Sequence, residues 1–167
     1  MNSYHHGDLR RAFLAEAAAM VAEAGVESVT LRALGRRVGV SHSAPLHHFG
    51  SRGGLLEALS AEGFEALLEE LDGSPADPAS QCAAFVLWAL AHPAHYAVMW
   101  APEVDAGQGP AALHGRFASA VGGDPAAAQT AFALAHGLAE LWISGALPRP
   151  ERAGDAVWLL CEQAGIG

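Results

Sequence analysis

TLRALGRRVGVSHSAPLHHF, residues 30–49, reads as a short helix, a tight turn and a second short helix. Thr30 suits the N-cap, where its hydroxyl accepts from an orphan backbone N–H. Leu31, Leu34 and Val38 recur at helical spacing and give the first helix one apolar face. Gly39 then stops it, because glycine enters the left-handed conformation without a Cβ clash. Ser41 or Ser43 can cap the second helix, and the Ser43 choice places Pro45 in the first turn, where its missing N–H costs nothing. Two helices joined by a short glycine-containing turn describe a helix-turn-helix, whose second helix enters the DNA major groove.

The residue identities go further than the spacing. Tyr4-His5-His6-Gly7-Asp8-Leu9-Arg10, the run Thr30–Ser41 and Ala44-Pro45 through His48-Phe49 closely resemble the N-terminal domain of TetR-family transcriptional regulators. FALAHGLAEL, residues 132–141, is similar to the His-Gly signature of the WHG-type C-terminal domain of one TetR subfamily. The resemblance implies an all-α fold of about nine helices. A helix-turn-helix domain is expected over 1–50, a connecting helix over 51–71, and a ligand-binding and dimerisation domain over 72–167. It further implies a homodimeric repressor, released from its double-stranded DNA operator by a small apolar effector. The implied DNA contacts are Thr30, Ser41, His42, Ser43, Pro45, His47 and His48, with Arg32, Arg36 and Arg52 as candidates for backbone phosphate. Short polar side chains read base edges while arginines position the protein, which suits this set.

Composition agrees with a packed, two-part chain. Of 167 residues, 51% are apolar and 16% charged, so disorder is not expected. The net charge of −9 is unevenly distributed. Residues 1–54 hold six arginines against four acids, a balance of +2, with five histidines besides. The remainder holds three arginines against fourteen acids. A mildly basic head on an acidic body fits a protein that docks one end on phosphate, with modest and salt-sensitive affinity.

Cys82 and Cys161 lie far apart in apolar segments and read as buried thiols of a reducing compartment rather than a bridge or metal pair. The N-terminus lacks the apolar core of a signal peptide, and His92, Pro93 and His95 interrupt the most apolar tract, Cys82–Trp100. A soluble cytoplasmic protein with no membrane contact is therefore expected. The first helix should open at Asp8 and end at Gly25, with Leu9, Phe13, Ala17, Met20 and Val21 on one face. Tyr4-His5-His6 ahead of it can serve as a DNA-contacting arm, a metal tract or a hydrophobic tether. A fourth helix should run from Ser51 to about Leu71. Pro78, Pro93, Pro110, Pro125 and Pro150 then punctuate helices predicted at 79–91, 94–101, 110–121, 125–146 and 150–164.

In the second domain, Phe85, Trp88, Tyr96, Met99, Trp100, Phe117, Phe132 and His136 supply aromatic and thioether surface. Singly each suits plain core packing; together they can enclose an apolar pocket with a few polar groups, His95, Tyr96 and His136 among them. The 125–146 and 150–164 segments are the candidates for dimerisation. Ala131, Ala135, Ala139 and Gly145 would allow close approach, and Leu134, Leu138, Leu141, Trp158 and Leu159 would supply area.

Several positions depart from the family pattern. Leu46 stands where tyrosine is usual, and His47 where arginine is common. Gly35 should weaken its helix by about 1 kcal/mol relative to alanine. Gly53 and Gly54 should loosen the start of the fourth helix. These departures bear on the strength of DNA binding and leave a second reading, a helical ligand- or partner-binding module with weak or lost DNA affinity. Catalysis is not expected: there is no glycine-rich phosphate loop, nucleophile elbow or Cys-x-x-Cys. His92 and His95 lack a third metal ligand at suitable spacing, and no cofactor is implied.

Overall fold

The computed structural model describes residues 6–166. Tyr4 and His5, and with them the suggested arm, tether or metal tract, lie outside the described residues. The helices are α1 (His6–Ala24), α2 (Leu31–Val38), α3 (Ala44–Phe49), α4 (Arg52–Gly73), α5 (Pro78–Ala91), α6 (Pro93–Met99), α7 (Gly109–Ala120), α8 (Pro125–Ile143) and α9 (Ala153–Gln163), with one 3-10 turn at Val26–Ser28. No strand occurs among the described residues, so the chain is all-α as its sequence predicts.

Local chemistry explains most of the boundaries. Ser51 Oγ accepts from the Gly54 N–H at 2.9 Å, capping α4. Asp124 does the same for Ala126 at 2.9 Å, and Pro125 fills the first turn of α8. The end of α8 differs from the predicted 146. Ser144 Oγ turns back onto the Glu140 carbonyl at 2.7 Å, Gly145 adopts φ 73°, and the chain folds over so that Leu147 N–H reaches the Leu141 carbonyl at 3.0 Å. Pro150 does not open α9, because residues 151–152 first form a turn and the helix starts at Ala153.

Asp77 caps α5 through the Ser80 N–H at 2.9 Å, and this bond holds its carboxyl below the usual carboxylate range. A lowered folded-state value means the contribution is complete at neutral pH and is lost as pH falls through that lowered value. Asp77→Ala is therefore expected to lower unfolding free energy by about 1 kcal/mol at pH 7 in urea denaturation, with the difference closing under acid conditions.

The contacts separate two compact units, one up to Gly63 plus Ala94–Ala106, the other Phe64–Pro93 plus Gly107 onward. The expected boundaries at 50 and 71 differ from this division, which falls inside α4 and takes α6 out of the chain order. In the first unit, Phe13, Leu14, Ala17, Met20 and Val21 of α1 meet Leu34 of α2 and Leu55, Leu56 and Leu59 of α4. Val98 of α6 is buried in the same core, with Ala94 and Val104 packed against it. Gly63 permits this approach, since a Cβ there would stand 2.7 Å from Met99 Sδ.

In the second unit, Phe85 and Phe117 are fully buried, together with Leu71, Cys82, Val86, Ala131, Ala135, Ala139 and Val157. The 72–78 linker is held down by the buried Gln81, whose Nε2 donates to the Leu71 carbonyl at 3.0 Å and the Pro75 carbonyl at 2.8 Å. Arg116 adds a bond to the Leu71 carbonyl and an ion pair with Asp72. No single described helix is long and apolar enough to cross a membrane.

Candidate functional site

The first unit presents the helix-turn-helix. Thr30 Oγ1 accepts from the Ala33 N–H at 3.2 Å and starts α2. Gly39 ends it at φ 77°, its N–H turned to the Arg36 carbonyl while Val40 N–H takes the Gly35 carbonyl at 2.9 Å. The chain then reverses close against α2: a Cβ on Gly35 would meet the Ser41 carbonyl oxygen at 3.0 Å and His42 Cα at 3.2 Å. Gly35 is thus a point of close approach, and the expected gain from alanine meets this contact. Ser43 occupies the N-cap position of α3 but is helical there and makes no capping bond; its hydroxyl lies 3.1 Å from that of Ser41.

The turn and α3 expose Ser41, His42, Leu46 and His47, with Ser43 half-buried beside them. Arg32 and Arg36, one turn apart on α2, are also exposed. Neither appears in a hydrogen bond or ion pair among the described residues, so their full donor capacity faces outward. Thr30 is exposed but its hydroxyl is occupied by the cap.

Other expected contacts are drawn inward. Pro45 is buried. His48 packs edge-on against Phe13 at 5.4 Å and beside Phe49 at 6.2 Å. Arg52 sends Nε to the Val29 carbonyl and Nη2 to the Val26 carbonyl, both at 2.9 Å, and faces Glu27 at 3.6 Å. These bonds tie α4 to the 3-10 turn ahead of α2, so Arg52 positions the helix-turn-helix instead of clamping phosphate in this geometry.

Arg37, absent from the expected set, forks onto Glu23 with Nη1 and Nη2 at 2.7 Å each and pairs with Glu16 through Nε. The bonds with Arg37 hold the Glu23 carboxyl below its usual range. This fork fixes α2 on α1 and, among the described residues, leaves Arg32 and Arg36 as the free cations of α2.

In the second unit a cleft of about 700 Å³ opens between α7 and α8. His114 and Ala118 line one side, and Pro125, Ala128, Gln129, Phe132, Ala133, His136 and Gly137 the other. Phe132 stacks on His136 at 5.6 Å and meets the His114 ring edge-on at 4.6 Å. Phe85 and Phe117 support it from within at 6.1 and 5.7 Å. Burial keeps His136 below the ordinary imidazole value, opposed in part by Glu140, so it is neutral at pH 7.

Of the expected ligand residues, then, Phe132 and His136 line this cleft, and Phe85 and Phe117 form its base. Trp88 instead packs against the tilted His92 ring at 4.9 Å. Tyr96, Met99 and Trp100 fall in the first unit, because α6 packs into that core. Sequence reasoning missed His114, whose only signal is an isolated histidine in an alanine-rich helix. Among the described residues no group of three His, Cys, Asp or Glu side chains is placed to hold a metal ion.

The expected dimerisation residues also divide. Ala131, Ala135, Ala139 and Leu138 are buried within the unit, where α8 packs on α5, so they cannot meet a partner. Leu141, Trp158 and Leu159 remain exposed at 39%, 50% and 54%, with Leu87 and Leu147.

A family model of bacterial regulatory proteins, tetR family, matches residues 13–59, and a model of the tetracyclin repressor-like C-terminal domain matches residues 79–161. Among solved structures, the chain is similar over 99% of its length to 99% of a protein of unknown function from Rhodococcus sp. RHA1, at 32% identity and a TM-score of 0.75. It is similar to the TetR-family transcriptional regulator PfmR from Thermus thermophilus at 19% identity, covering 90% of this chain and 94% of that one, with a TM-score of 0.69. Mycobacterium smegmatis AmtR matches at 20% identity over 100% and 99% of the two chains, with a TM-score of 0.61. The last two likenesses are of fold. No curated protein matches the sequence.

Proposed function

This chain belongs to the tetR family of bacterial regulatory proteins, DNA-binding regulators rather than enzymes, and on that premise we propose that it is a homodimeric repressor acting in the cytoplasm. Its α2–α3 face grips operator DNA, and a small apolar effector bound in the α7–α8 cleft releases it. The observation that carries the reading is the exposed set of Arg32, Arg36, Ser41, His42 and His47, its two arginines unbonded among the described residues while Arg37 and Arg52 are spent on the scaffold. Arg32 and Arg36 supply phosphate contacts, and the serines and histidines stand where base edges would be reached. Pro45 and His48 serve by packing α3 in place.

The exposed Leu141, Trp158 and Leu159 are the apolar area available for a two-fold contact through α8 and α9. Such a dimer would set its recognition helices about 34–36 Å apart, one turn of DNA. Effector binding shifts this arrangement only if the ligand favours the DNA-free state over the bound one. The cleft walls, apolar with Gln129, His114 and neutral His136 as polar points, suit a flat, uncharged ligand.

A reporter gene placed behind the protein's own upstream DNA tests the sign of regulation. Expression should fall when the chain is supplied and recover with the Arg32→Ala/Arg36→Ala form; increased expression with the wild-type chain would refute repression. For a flat apolar compound that releases DNA, Phe132→Ala is expected to weaken binding about 30-fold, near 2 kcal/mol for the lost aromatic surface. Calorimetric titration reads this, while DNA affinity without the compound should stay unchanged.

A further inference from the structure

The chain's two cysteines, 79 positions apart, are brought together by the packing of α5 against α9. The register of that packing is antiparallel and is marked at both ends. Leu87 Cδ1 of α5 lies 3.5 Å from where a Cβ on Gly154 of α9 would stand. Ala79, two turns back along α5, lines a surface dimple with Trp158, Glu162 and Gly165. Between these marks Cys82 falls opposite Cys161, close enough that each thiol shifts the other's titration. Both residues are buried, both are free thiols, and Cys82 Sγ also lies 3.5 Å from the Ala131 carbonyl oxygen of α8.

We propose that Cys82 and Cys161 form a dithiol site that a hydroperoxide converts into an intramolecular disulfide, tying α9 to α5. Nothing in DNA or effector binding uses these thiols. Ala79 precedes Cys82 by three residues and Trp158 precedes Cys161 by three, so each of these dimple residues shares a helix face with one thiol. A peroxide molecule is scarcely larger than water, the size that a buried thiol pair calls for. No third His, Cys, Asp or Glu among the described residues joins the two thiols in a metal group.

The two sulfurs differ, which sets the order of events. The neighbouring Cys82 thiol holds Cys161 below the ordinary thiol range against the opposing effect of burial. Cys161 and burial both push Cys82 up. Cys161 is the nucleophile. Its thiolate attacks one peroxide oxygen, the O–O bond breaks, and the departing hydroxide takes up the proton Cys161 had lost, giving water and a Cys161 sulfenic acid. Cys82 sulfur then attacks the sulfenic sulfur; the S–S bond forms, the S–O bond breaks, and the hydroxyl leaves with the Cys82 proton as a second water. The sulfur pair loses two electrons and the peroxide gains them.

The test treats the reduced full-length chain with hydrogen peroxide, removes the excess, then unfolds it in an alkylating reagent for mass spectrometry. The expected product is a single chain lighter by two hydrogens, unalkylated, with the peptides carrying Cys82 and Cys161 joined and separated again by dithiothreitol. In the Cys82→Ala variant, dimedone should trap the sulfenic acid on Cys161. Two alkylated thiols in the wild-type product, oxygen added to one cysteine without a cross-link, or links only between chains would overturn the proposal. So would trapping on Cys82 of a Cys161→Ala variant with none on Cys161. The wild-type mass measurement stands even if a variant fails to fold.

Discussion

Phe13→Ala is expected to cost about 3–5 kcal/mol of unfolding free energy and to abolish DNA binding with it. Phe13 is fully buried in α1 and lies beneath the recognition helix, its ring set edge-on to His48 at 5.4 Å and Phe49 at 6.0 Å. Both contacts orient α3, a helix of only six residues with no side-chain N-cap bond. Such a helix has little stability of its own and depends on the surface it packs against. Removing the ring leaves a cavity and takes away the wall that fixes α3. Phe13→Leu, which fills much of the volume, should lose less than half as much. Urea denaturation of the full chain measures both. Equal loss in the two variants would show that ring geometry under α3 matters more than volume.

The double variant Arg32→Ala/Arg36→Ala is expected to leave the fold intact and reduce DNA affinity on the order of 100-fold at physiological salt. Both side chains are exposed and bonded to nothing among the described residues, so removing them leaves no buried partner stranded. In a dimer each substitution counts twice, and four fewer neutralised phosphates should flatten the logarithmic salt slope by about 3–4. Arg52→Ala offers the contrast. Its guanidinium satisfies the Val26 and Val29 carbonyls, so its loss should appear as about 1–3 kcal/mol of stability with the salt slope kept. Fluorescence anisotropy over a salt series distinguishes the two outcomes. A flattened slope with Arg52→Ala would return that residue to the phosphate-binding set.

The helix-turn-helix could be read from sequence because its determinants are local. Thr30 and Gly39 cap α2 within a turn of their own positions, and the apolar repeat of Leu31, Leu34 and Val38 lies in a single segment. Ser43 sits where a cap was expected, yet a helical backbone keeps its hydroxyl from the cap bond. Glycines were the weaker point. Propensity treats Gly35 and Gly54 as flaws in their helices, whereas a Cβ on Gly54 would overlap the Phe49 carbonyl oxygen and one on Gly35 would stand 3.0 Å from that of Ser41. Those contacts are made by backbone from outside the helices, which periodicity cannot register.

Everything that depended on distant partners was harder. Which arginines stay free was decided by Glu16 and Glu23, 21 and 14 positions from Arg37, and by the carbonyls that Arg52 reaches 23 and 26 positions back. Chain order placed Tyr96, Met99 and Trp100 with the later aromatics, but Val98 anchors their helix in the first core. In α8 an alanine stripe reads equally as a partner-facing seam or as the face that meets α5. The buried Ala131, Ala135 and Ala139 take the second role.

The most direct measurement is the affinity of the full-length chain for its own upstream DNA, followed by anisotropy from low to physiological salt. A saturable complex that weakens steeply with salt, and more gently in the Arg32→Ala/Arg36→Ala form, is the expected result. Absent binding at low salt, or affinity indifferent to salt, would contradict operator recognition by the α2–α3 face and leave a helical ligand-binding module.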